Sequence, residues 1–171
     1  LNAARRFHRE ETSRIGYQLL RGAIGASEAG AAYADLADAC VVVLADACEK
    51  DVLSRFPGSI GKWAVCALGK FGGRELTASS DLDLMLIYEP EGDAGGALAA
   101  RFVQRLIAAL RQVQGAYSLV LLADDKLIGV RDPHGFRPLS LDQLDGDYVL
   151  ASETCAFPLN DVKYLRDIDP G

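Results

Sequence analysis

"GKFGGRELTASSDLDLMLIYE" runs from Gly69 to Glu89 and decides how the rest of the chain is read. A glycine pair, Gly72–Gly73, is followed by a polar stretch and then by Asp81-Leu82-Asp83 at the head of an apolar run. The alternation of a strand sends Asp81 and Asp83 to one face, with Cα atoms roughly 6.6 Å apart. Met85 and Ile87 continue that face, while Leu82, Leu84 and Leu86 fill the other. A strand apolar on both faces belongs in the middle of its sheet. Two carboxylates at its entrance repel each other, and burial penalises both. A divalent cation removes that penalty, and Mg²⁺ held between carboxylates and phosphates suits such a pair.

The residues ahead of the aspartates extend the same chemistry. Gly72 and Gly73 let backbone approach phosphate oxygens closely. Ser79 and Ser80 offer hydroxyl donors, and Lys70 and Arg74 offer charge against a triphosphate. Together these parts describe phosphoryl or nucleotidyl transfer with metal ions. The bland alternative is a plain turn followed by solvated acids at a strand start. A P-loop does not fit, because Gly69–Lys70 is followed by Phe71 and lacks the upstream glycine at the required spacing.

Outward from this motif, a helix is expected over about Ala3–Ile24, with Phe7, Ile15, Leu19, Leu20 and Ile24 as its apolar stripe. A second helix is expected over about Glu28–Phe56 with Ser27 as N-cap, ended by "FPGSIG". "KWAVCALG", Lys62–Gly69, reads as a buried strand, and Asp81–Tyr88 as the next. "EPEGDAGG", Glu89–Gly96, reads as a loop before a third helix over about Ala97–Val113. The texture then changes to short strands: a hairpin Tyr117–Leu122 and Leu127–Val130, a short strand, a turn at Asp145–Gly146, a strand Tyr148–Ser152, and a last strand in "DVKYLRDID". The fold class is therefore α/β (α+β): long N-terminal helices, a mixed sheet and a C-terminal β meander.

The 171 residues can bury a real core as one domain or two small ones. A net charge of −6 argues against broad nucleic-acid or anionic-membrane binding. Cys40, Cys48, Cys66 and Cys155 are widely spaced without CxxC, which points to reduced, cytoplasmic core thiols rather than a disulfide or zinc framework. The chain has no transmembrane-length apolar run and no signal peptide. Both ends read as cut from something longer.

"ALGKFGGRELTASSDLDLMLIYE" closely resembles the nucleotidyltransferase motif of the glutamine-synthetase adenylyltransferase family. The flanks "FHREETSRIGYQLLRGAI", "AYADLADACVVVL" and "RFVQRLIAAL" are similar to that family too, so the resemblance covers roughly Leu1 to Arg111. It leans towards the family's C-terminal, adenylylating half, within the DNA polymerase beta nucleotidyltransferase superfamily. The resemblance implies ATP and glutamine synthetase as partners, and attack by a tyrosine hydroxyl on the α-phosphate with loss of pyrophosphate. It further implies Asp81 and Asp83 as Mg²⁺ ligands and catalytic residues, with Gly72, Gly73, Ser80 and Lys70 around the nucleotide. The family adds a third carboxylate from a later strand, in a sequence like "LYEVDMRLRPSG", which this chain does not contain.

From about Gly115, "GAYSLVLLADDKLIGVRDPHGFRPLSL" and "YVLASETCAF" to "DVKYLRDIDPG" resemble the glutaminase domain of amidophosphoribosyltransferases. Those enzymes use an N-terminal cysteine nucleophile, whereas residue 1 here is Leu, and Cys155 does not match that position. His134, within "RDPHGFRPL", fits a turn better than a general base. The chain thus reads as two family fragments, 1–113 and 114–171, joined near Arg111–Gly115, the second offering strands that complete the first fragment's sheet. A designed or selected chimera, a gene fusion and an assembly error would each produce such a chain. The expected function is a nucleotidyltransferase-like domain with weakened or lost transfer. The alternatives are a non-catalytic folded chimera and a fragment of a class II glutamine amidotransferase. Asp124, Asp125 and Asp132 are the acids beyond the junction that could approach the metal site, although the first two also suit a hairpin turn.

Overall fold

The computed structural model describes residues 2–114, 117–123, 126–131, 138–152 and 162–169. Asp124, Asp125, Asp132, His134 and Cys155 lie outside the described residues. The chain begins with two helices, α1 (Asn2–Leu20) and α2 (Ala26–Arg55). Gly25, not Ser27, caps α2, because the Glu28 carboxylate reaches back to accept the Gly25 N–H at 2.8 Å. Ser27 is already inside the first turn.

The first sheet has the order β1-β2-β3-β4, from Lys62–Ala67, Leu82–Glu89, Tyr117–Ala123 and Lys126–Arg131. β2 is central, antiparallel to β1 and parallel to β3. A parallel pair needs a long crossover, and α4 (Gly92–Gln114) supplies it. This helix begins at Gly92, inside the stretch expected to be loop. Pro90 and Glu91 lead into it, the acid next to the helix N-terminus, where negative charge is favoured. Ser59 Oγ holds the Glu91 carboxylate at 2.7 Å. The glycines of the segment masked that start at the sequence level.

Helices close one face of this sheet. Leu82, Leu84 and Leu86 are buried in a single core with Phe102, Leu106 and Leu110 of α4 and with Tyr33, Cys40 and Leu44 of α2. Trp63 of β1 packs on Phe102 with ring centroids 4.9 Å apart, and its indole N–H donates to Glu49 at 3.1 Å. The stripe expected on α1 is mostly not buried. Ile15 is, but Phe7, Leu19 and Leu20 are exposed, Leu20 at 89%. The helix packs on α2 and α4, with Ile15 as its buried residue.

The second sheet is antiparallel, in the order β6-β5-β7, from Asp147–Ala151, Ser140–Leu144 and Lys163–Asp167. Asp145–Gly146 forms the two-residue turn between β5 and β6, as the sequence suggests. This sheet meets the first over Gly129 of β4, where a Cβ would stand 3.2 Å from the side chains of Leu139 and Leu150. Arg131 Nη1 donates to the Ile168 carbonyl at 3.3 Å, and the Ile168 N–H donates to the Leu139 carbonyl at 2.7 Å.

Candidate functional site

The site grows from the junction of β1 and β2. The Leu68 N–H extends their pairing by donating to the Asp83 carbonyl at 2.8 Å. The chain then turns through α3, a single helical turn at Gly69–Gly72. Gly69 has φ +52, and a Cβ there would lie 2.6 Å from Asp83 Oδ2. Only glycine therefore lets the carboxylate rest against the turn.

Gly72 is needed for a different reason: its Cβ would meet the Ala67 carbonyl oxygen at 2.6 Å. Its N–H donates to the Leu68 carbonyl and that of Gly73 to the Gly69 carbonyl, both at 2.9 Å. Both residues are exposed, so a ligand would meet their open Cα surface while their amides serve the turn. Lys70 is exposed on the same turn. Arg74 is directed elsewhere. Its guanidinium pairs with Asp35 and, at 3.7 Å, with Asp38 on α2. The hydrogen bond and charge of Asp35 push its pKa further up.

The polar stretch closes on itself. Ser80 Oγ accepts the Thr77 N–H at 2.9 Å and lies 2.9 Å from Thr77 Oγ1. Ser80 and Thr77 line a small cavity with His8, Thr12 and Tyr33, which brings α1 and α2 against the aspartate loop. Burial there lowers the His8 pKa, favouring neutral imidazole.

β2 begins at Leu82, so Asp81 stands one residue ahead of the ladder and Asp83 within it. Burial alternates from Asp81 to Leu86, half-buried then buried, with both acids on the less buried side. Asp83 Oδ1 is withdrawn from solvent. The parallel register places Ser118 of β3 beside Asp83, and the next places Arg131 of β4 beside Ser118. Asp83, Ser118 and Arg131 thus form a row across three strands on one face of the sheet. Sequence reading missed the row, although a serine inside the apolar run "YSLVLL" was its visible trace.

Mg²⁺ prefers oxygen ligands, and the donor set here is all oxygen: two same-side carboxylates, one with a desolvated oxygen, and a buried hydroxyl beside them. The residues fit a hard divalent cation. Among the described residues no group of three His, Cys, Asp or Glu side chains converges, so a cation held by the two aspartates would need further oxygen ligands.

A sequence model described as "GlnE: Glutamate-ammonia ligase adenylyltransferase" matches residues 1–121, reaching into β3. The bifunctional glutamine synthetase adenylyltransferase/adenylyl-removing enzyme of Xanthobacter autotrophicus is 39% identical over 135 residues, covering 70% of this chain and 13% of that protein. Amidophosphoribosyltransferase 2, chloroplastic, of Arabidopsis thaliana is 49% identical over 74 residues, covering 43% of this chain and 13% of that protein. A solved glutamine phosphoribosylpyrophosphate amidotransferase from B. subtilis, complexed with ADP and GMP, is 30% identical with a TM-score of 0.35. That match covers 49% of this chain and 20% of the other. The chain therefore spans about an eighth of the curated relatives and shares sequence with two different enzymes.

Proposed function

Because the chain belongs to the glutamate-ammonia ligase adenylyltransferase family, we propose that it is a nucleotidyltransferase-type domain that binds Mg²⁺–ATP and has lost most of its transfer activity. Its ancestral reaction is delivery of AMP from ATP to a tyrosine hydroxyl of glutamine synthetase, with pyrophosphate leaving. Asp81 and Asp83 hold the cation, and Lys70, Gly72, Gly73 and Ser80 form the nucleotide's surroundings. When bound, Mg²⁺ supplies charge stabilisation at the phosphates. The aspartates set its position, and the Gly69 turn fixes Asp83. The free thiols Cys40, Cys48 and Cys66 suit a cytoplasmic location.

The observation that carries the reading of weakened transfer is Ser118. In this reading β3 takes the place of the later strand that brings the family's third acid. Its residue beside Asp83 is a serine, which at neutral pH is no base for a tyrosine proton. We place the division at 1–113 and 114–171, with β3 and β4 of the second part filling the sheet of the first.

Calorimetry with ATP and Mg²⁺ tests the proposal. The native chain should give saturable heat, and the Asp81→Asn/Asp83→Asn double variant should lose it. Equal heats in both would overturn nucleotide binding at this site and favour a non-catalytic folded chimera.

A further inference from the structure

Resting on the metal site just proposed, we propose that the Ser118 hydroxyl is the third protein ligand of the Asp81–Asp83 cation. This makes the centre a two-charge site for one Mg²⁺.

Ser118 is 4% exposed, and its Oγ is buried with no hydrogen-bond partner. Leaving a buried hydroxyl unsatisfied costs about 1–3 kcal/mol, so a strand interior selects against it unless something fills the role. The register answers what could. Ser118 and Asp83 are paired across β2 and β3, so their side chains leave the sheet on the same face. Strands lie roughly 4.8 Å apart, a separation that one cation between two oxygens can span. The Asp83 carboxylate is backed by Gly69 on the turn side, and across the sheet it shares its row with Ser118.

A neutral hydroxyl is an accepted Mg²⁺ ligand, as the Ser/Thr of a P-loop shows. It differs from a carboxylate in charge. Two aspartates and a hydroxyl balance one divalent ion. A third acid would add the charge that makes room for a second ion between enzyme and phosphates.

Mn²⁺ serves as the probe, followed by electron paramagnetic resonance on the full chain without nucleotide, so that the readout does not depend on turnover. Ser118→Ala is expected to weaken Mn²⁺ binding about tenfold, within the range for a lost supporting interaction. Ser118→Thr should retain native affinity, and Ser118→Asp should tighten binding and raise the stoichiometry above one. Circular dichroism verifies folding of each variant. If Ser118→Ala binds Mn²⁺ as the native chain does while Asp83→Asn does not, the Ser118 assignment is overturned and the aspartate site stands. If Asp83→Asn also binds normally, both the assignment and the underlying site are wrong.

Discussion

In the four-stranded sheet, Asp83 sits half-buried at one end of a strand whose opposite face is closed by Leu82, Leu84 and Leu86. In the three-stranded sheet, Asp142 lies in mid-strand with 0% exposure. The first sheet is backed by α2 and α4, which supply enough apolar surface that one face can carry polar groups at its rim. The second has no helix among the described residues, and β7 is exposed along its length. Burial pushes the Asp142 pKa up, the Asp167 carboxylate adds to the shift, and the Leu165 backbone acts against it. The same residue type therefore has two meanings. Against Gly69 an acid sits at a strand end beside a buried hydroxyl, where the proposed cation would neutralise it; in β5 an acid is shut away and neutralised best by a proton.

The largest effect is expected from removing the helical backing of the first sheet. Phe102 is fully buried against Trp63, so Phe102→Ala should cost about 3–5 kcal/mol in urea denaturation. A loss under 1 kcal/mol would mean that the sheet does not draw its stability from α4. A smaller effect is expected at the turn. Gly72→Ala drives a methyl group to within 2.6 Å of the Ala67 carbonyl and should cost about 1–3 kcal/mol while also weakening Mn²⁺ binding. Unchanged Mn²⁺ affinity would separate the turn from the cation site.

The smallest effect is expected at the buried acid of β5. A carboxyl with a raised folded pKa contributes stability that is complete below its ordinary 3.8 and is lost as pH rises through the folded value. Asp142→Asn should therefore raise the melting temperature at pH 7. It should also remove the part of the pH dependence of stability that the native chain shows above pH 4. Parallel native and variant melting curves from pH 3 to 7 would contradict the burial.

Much of the first region is legible without coordinates, because its signals are local. Period-two burial shows in "DLDLMLIYE" and names the strand and its acid-bearing face. The helix-forming run through Phe102 and Leu110 is equally plain. The failures have local causes too. Gly95 and Gly96 hid the start of α4, and Ser27 competed with the Gly25–Glu28 cap that forms. The α1 stripe misleads because amphipathic spacing does not say how much neighbouring surface exists to cover it. The row of Asp83, Ser118 and Arg131 is unreadable for another reason. It depends on a parallel register between strands separated by the whole of α4, and nothing in either strand names its partner.

Since β2 gains one neighbour from β1 and the other only from β3, a chain ending before Tyr117 would leave its far backbone groups bare. Such an unsatisfied ribbon templates self-association. β3 therefore covers that edge of β2, a role that does not depend on any nucleotide.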